Sequence, residues 1–308
     1  MTSRAPAKAL ALHLAVLAAL FLLQFALPDY HHTNVARIMV LAAYALGYNV
    51  LLGYTGLMSL GHAMFFAAGM YGAGLPAYYL SFGPTAAFAA GIVAGAVLAL
   101  VFGLLALRTS GVSFLIVSLM VAQAFYLATL HFNEITLGDQ GFILTLGLEQ
   151  PAVKYNAAFL LFGLSLLGCL ALRLSPVGRV LVGIRENEER TRLLGYDSFR
   201  YRLLSLVVSG ALAAAAGASY ALLFSYVGST FASILFSIYP LLWTLLGGAG
   251  TLLGPLLGTG LMFYLVDLAS SLTSAYLFFV GVALVMLVLW FPQGILGAVR
   301  ARWVPWLP

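Results

Sequence analysis

Very few residues in this 308-residue chain are placed for covalent chemistry. Lysine occurs only at Lys8 and Lys154, and neither follows a glycine. No GxxxxGK[ST] loop is therefore present to wrap nucleotide phosphates. HExxH and Gly-x-Ser-x-Gly spacings are missing too, which leaves an enzymatic reading little to stand on. Cys169 is the one cysteine, so there is no intrachain disulfide and no cysteine metal cluster; it reads as a small packing residue. His31 and His32 are adjacent and would point apart on a helix, so a loop suits them better. What remains is recognition by polar groups set among apolar ones.

The densest such set is residues 53–74, GYTGLMSLGHAMFFAAGMYGAG. Six glycines in 22 residues weaken a regular helix. Thr55, Ser59 and His62 add small polar groups, which suit a cavity wall better than a lipid face. The other reading is a kinked helix whose hydroxyls bond back to their own carbonyls. Tyr54, Thr55, Ser59, Gly61, His62 and Asp267 are the candidate lining of a solute path. Asp267 joins them because a carboxylate within an apolar segment is costly to bury, although near the segment's end it could also reach the interface.

A second set is charged. Residues 173–202 hold seven arginines and four Asp or Glu, nearly half of all charged residues in about a tenth of the length. Pro176 and Gly178 are expected to end the preceding helix. Strong helix formers dominate 185–194 except at Asn187 and Thr191, and Gly195 supplies a stop. Glu186–Arg190 and Glu188–Arg192 are i,i+4 pairs in the favourable order, worth about 0.2–0.5 kcal/mol each. Leu193, Leu194 and Tyr196 put apolar groups at the helix end. One charged helix over 185–194 is expected, either as a dock for a soluble partner or as a solvated connector.

The elements that position these sets are apolar. The chain is 63% hydrophobic and 7% charged, with mean hydropathy +1.05, against about 25% charge in soluble domains. No ten-residue alternation marks a barrel strand. The net charge of +5 is not a nucleic-acid footprint, because the basic residues flank apolar runs. Ten segments emerge: 9–28, 36–53, 57–80, 84–107, 112–130, 155–173, 203–227, 231–247, 252–272 and 275–292. The first is expected to be a retained span, since no small-residue cleavage site follows it. Placing both termini inside puts Arg4, Lys8, Arg108, the seven loop arginines, Arg300 and Arg302 on the inner side, with only Arg37 and Lys154 outside. Segments 57–80 and 231–247 are doubtful as full spans. The expected fold is an all-α polytopic membrane bundle of 8–10 transmembrane segments, both termini inside, in one domain over 1–308. A faint repeat relates LLGYTG at 51–56 to LLGGAG at 245–250. Small-xxx-small spacings at Gly91/Gly95 and Gly210/Ala214 fit either packing within the bundle or an intersubunit seam.

Four stretches carry a family resemblance: NVLLGYTGLMSLGHAMFFAAGMYGAG at 49–74, SPVGRVLVGIRENEERTRLLGYDSFRYRL at 175–203, LLGGAGTLLGPLLGT at 245–259 and FPQGILG at 291–297. The chain resembles the second permease subunit of branched-chain amino acid ABC importers, the high-affinity leucine/isoleucine/valine type. It departs from the family at 136–141, where TLGDQG replaces a Gly-Gly-Ser/Thr-Asp-Gly-like motif. The resemblance implies a prokaryotic cytoplasmic (inner) membrane location and a homologous second permease subunit. It also implies two cytoplasmic ATPase subunits and an extracytoplasmic substrate-binding protein. ATP-Mg would sit on the ATPase subunits, with no cofactor in this chain. The resemblance makes 175–202 the coupling loop, with Arg185, Glu186, Glu189, Arg190, Leu193, Leu194, Gly195 and Tyr196 meeting the ATPase. Urea and short-amide importers use very similar permeases, and an autonomous secondary carrier or channel is the alternative from another class.

Overall fold

The computed structural model describes residues 5–303 apart from 146, 147, 149 and 292, and leaves aside the side chains of 5, 6, 29, 276, 277 and 288. Arg4 and Pro292 of the sequence readings thus lie outside the described residues. Each of the ten apolar segments becomes a helix: α1 (Ala5–Leu23), α2 (Asp29–Asn49), α3 (His62–Tyr79), α4 (Pro84–Ala106), α5 (Gly111–His131), α7 (Pro151–Leu174), α10 (Ser198–Phe224), α11 (Ile234–Gly247), α12 (Gly254–Leu272) and α13 (Tyr276–Trp290). Between them lie the short helices α6 (Asn133–Thr136), α8 (Pro176–Glu186) and α9 (Glu188–Leu193), with α14 (Ile295–Arg302) last. Prolines in the first turns of α4, α7, α8 and α12 start those helices where a missing N–H is harmless. Strands β1 (Phe142–Ile143) and β2 (Tyr226–Val227) form one antiparallel pair.

Among the described residues, six helical stretches are long and apolar enough to cross a bilayer: Tyr30–Tyr54, Pro84–Ala106, Gly111–His131, Pro151–Leu174, Ser198–Phe224 and Gly254–Leu272. The two doubtful segments are indeed unusual. α3 begins only at His62, after irregular backbone at 56–61, and lies buried inside the bundle. α11 has 14 residues, about 21 Å of helix, which is short of a hydrocarbon core of about 30 Å. A leg at 228–233, mostly a 3-10 turn over Ser229–Ala232, leads into it from the β2 end. The order long helix, leg without α-helix, further helix thus occurs twice, at α2–α3 and α10–α11, although α11 is only partly buried where α3 is buried nearly throughout. It runs in opposite senses, because the end of α2 lies beside the first half of α10: the Ser209 hydroxyl donates to the Gly47 carbonyl at 2.5 Å. The two glycine motifs also meet, since a Cβ on Gly53 would sit 2.6 Å from the Gly250 nitrogen.

The closest packing is among α3, α4 and α10, and small residues permit it. A Cβ on Gly91 would lie 2.6 Å from the Gly69 carbonyl, and one on Gly95 or Gly210 would collide with α10 or α4. These small-residue spacings therefore serve packing within the bundle. The cations separate by end. Arg37 and Lys154 both stack on Phe224, at 4.9 and 5.9 Å from its ring centroid. At the opposite end lie Lys8, Arg108, the seven arginines of 173–202, Arg300 and Arg302.

The charged loop departs from expectation in two ways. Gly178 does not end a helix: α7 stops at Leu174, Ser175 caps the next helix by accepting from the Gly178 N–H at 3.1 Å, and Gly178 lies within α8. Nor is 185–194 one helix. Asn187 is extended, with φ −160 and ψ 103, and its side-chain oxygen accepts from the Arg190 N–H at 2.8 Å, starting α9 afresh. The Glu188–Arg192 pair forms at 2.6 Å, while Glu186 and Arg190 are split between α8 and α9.

Candidate translocation seam and coupling segment

The irregular leg at 56–61 ends in a buried polar seam. Ser59 is fully buried; its hydroxyl accepts from the Gly61 N–H at 3.1 Å, and its carbonyl accepts from the Tyr48 hydroxyl at 3.0 Å. Gly61 presses on α5, where any Cβ would strike the Ser118 carbonyl. The Ser118 hydroxyl in turn accepts from the Leu60 N–H at 3.0 Å. His62 is wholly buried, with Nε2 2.7 Å from the Ser209 hydroxyl. That hydroxyl already donates to Gly47, so Nε2 is the donor and Nδ1 carries no hydrogen. Nδ1 also has no hydrogen-bond partner, although it is buried. The first turn of α3 is closed by α11, whose Ser237 hydroxyl accepts from the Ala63 N–H at 2.9 Å. Serines from α5, α10 and α11 thus converge on the start of α3.

The other path candidates separate. Thr55 bonds back to the Leu51 carbonyl, the self-capping alternative for its hydroxyl. Tyr54 ends a buried π turn (Val50–Tyr54), and Arg173 lies over its ring at 5.7 Å. The Tyr30 hydroxyl donates its one hydrogen to the Asp267 carboxylate, lying 3.0 and 2.9 Å from its two oxygens, so the partner of Asp267 is the start of α2, not the seam. Above the seam Phe66 meets Phe236 at 5.1 Å and Tyr44 at 4.8 Å, and Phe231 meets Phe236 at 4.9 Å. Buried hydroxyls thus lie beside an aromatic cluster.

Sequence reasoning missed Asn49, which lies in the apolar run of α2. Its amide nitrogen donates to the Thr251 carbonyl at 2.9 Å and its oxygen accepts from the Gly250 N–H at 2.8 Å. An asparagine inside an apolar helix was signal enough, because burial there demands partners. Ser118, Ser209 and Ser237 carried no such signal, since a serine in a helix reads alike whichever face it takes.

The charged segment stands apart from this interior. Leu193 is 89% exposed, Leu194 73% and Tyr196 43%. Arg190, Glu186 and Glu189 are exposed as well. Gly195 has φ +90, with open space around it. The base of the segment is anchored, since Glu188 pairs with Arg202 of α10 as well as with Arg192. Arg185 reaches inward: its guanidinium donates to the Gly53 carbonyl in the π turn, and its side chain lies under Gly56. One arginine therefore joins the exposed segment to the backbone that leads into the seam.

Multiple long apolar helices around a buried interior make this a polytopic helical membrane protein. The family model for the branched-chain amino acid transport system permease component matches residues 33–290, and the chain belongs to that family. The high-affinity branched-chain amino acid transport system permease protein LivM of Salmonella typhimurium strain LT2 is 28% identical over 295 residues, covering 86% of this chain and 69% of the relative. LivM of Escherichia coli K12 matches with the same identity and coverage. A probable branched-chain amino acid transport permease LivM of Methanocaldococcus jannaschii is 34% identical over 85 residues, 27% of this chain and 25% of the relative. No solved structure matches the chain.

Proposed function

We propose that this chain is a membrane permease subunit of an ATP-driven importer of branched-chain or related hydrophobic amino acids. Separate ATPase subunits drive it, a homologous permease pairs with it, and an extracytoplasmic binding protein feeds it. The observation that carries the reading is the Arg185–Gly53 bond, which ties the exposed Leu193–Leu194–Tyr196 tip to the broken backbone before α3. A subunit without a phosphate loop needs an outside motor, and a motor needs a stiff link to the path. The seam suits a zwitterion with an aliphatic side chain: hydroxyls and an imidazole for its charged ends, and aromatic rings for its body. The arginine-rich end faces the cytoplasm of a prokaryotic cell by the positive-inside rule. ATP-Mg belongs to the partner subunits, and the chain itself catalyses nothing.

The test is reconstitution with the ATPase pair, the second permease and the binding protein. ATP-dependent leucine uptake that needs all of them supports the assignment. Gradient-driven uptake by this chain alone would replace it with an autonomous carrier.

A further inference from the structure

A cleft of about 520 Å³ opens at the arginine-rich end, between α8, the turn after α11, and α14. Arg185, Thr251, Gln293 and Arg300 are among its lining residues. Arg173 stands behind it over Tyr54. Among the described residues none of Arg173, Arg185 and Arg300 is within ion-pair distance of a carboxylate. The nearby acids are committed elsewhere or exposed: Glu188 to Arg192 and Arg202, and Asp197 to Arg200. The Arg173 Nε is buried without a hydrogen-bond partner. Burial, together with the charges of Arg173 and Arg185, holds the Arg300 guanidinium below its ordinary pKa. Two arginines lining one cleft and a third behind it, with no counter-charge among the described residues, is a cost that a bound anion removes.

The surroundings say what kind of anion. α14 carries Arg300 and Arg302 beside exposed Val299 and Trp303, the latter 80% exposed. Arginine with tryptophan at the end of membrane helices marks headgroup depth. Basic clefts between helices at that depth take lipid headgroups, and an arginine fork fits a phosphoryl group in two-point fashion. We propose that this cleft binds a phosphoryl group, supplied by an anionic phospholipid and held between Arg185 and Arg300, with the Gln293 amide as a further donor. Arg185 also holds Gly53, so an occupied cleft fixes α8, α14 and the π turn together.

The test is native mass spectrometry of the full chain in mild detergent, with phosphatidylglycerol or phosphatidylcholine added. It needs no ATPase partner, so it stands or falls apart from the importer reading. Wild type is expected to retain phosphatidylglycerol several-fold over phosphatidylcholine. Arg300→Gln should cut that retention about five-fold. Arg108→Gln, an equal charge loss at the same end, should leave it unchanged. Arg300→Lys keeps the charge without the fork; an intermediate loss supports the site even if Arg300→Gln does not fold. Binding of free inorganic phosphate that depends on Arg300, without lipid selectivity, would keep the phosphoryl site and assign it a soluble source. Equal lipid and phosphate binding in Arg300→Gln and wild type overturns the proposal.

Discussion

At the scale of single residues, the seam turns on contacts with no slack. Gly61 lies against the Ser118 carbonyl, which is backbone and cannot rotate away. Gly61→Ala is expected to destabilise the chain by about 1–3 kcal/mol, the usual cost of overpacking a filled interior. Thermal unfolding in detergent reads this, and an unchanged midpoint would mean that α5 yields. Ser209→Ala removes the acceptor of the buried His62 Nε2 and leaves that donor stranded, at a cost of about 1–3 kcal/mol. Transport should fall with it, measured as uptake per folded complex. Ser59, Gly61 and His62 were legible in the sequence because polar and flexible residues crowded an apolar run. Their partners on α5, α10 and α11 were not, because nothing local tells which side of a helix faces inward.

At the scale of elements, α8 and α9 form an anchored base with an exposed tip. Gly195 has no neighbour within reach of a Cβ, so its requirement is conformational: at φ +90 any other residue is strained. Gly195→Asp is expected to leave the chain in the membrane and uncouple it, with ATP hydrolysis losing its stimulation by loaded binding protein. Leu194→Asp should act differently, releasing the ATPase subunits during purification, because an exposed apolar anchor carries much of a docking energy. A pull-down beside an uptake assay separates the two, and normal behaviour of both variants would make the loop a mere connector. The stop at Gly195 was visible in the sequence. The break at Asn187 was hidden, because helix formers on both sides outvoted a residue whose capping role depends on an extended backbone.

At the scale of the molecule, the separation of cations between the two ends predicts orientation. Gln140→Cys should react with an impermeant thiol reagent from outside, and Glu189→Cys should not; the reverse pattern would invert the chain. Gln140 is exposed at the end where Tyr226 holds its carbonyl, so the label meets no buried group. The ten apolar segments, with the two doubtful ones among them, could be read directly, since hydrocarbon imposes length and apolarity on any span. The opposed senses of the two broken units could not, because their likeness lies in backbone path and not in residue order.

Asn49 uses both ends of its amide, one toward Thr251 and one toward Gly250. It works as a latch keyed by hydrogen polarity and not by size. Asn49→Asp alters a single heavy atom and keeps the volume, yet it sets an oxygen against the Thr251 carbonyl. The ends of α2 and α11 would then repel where they had been fastened, and the two broken units would be free to drift independently. A permease carrying that change should still assemble, while spending nucleotide without delivering cargo.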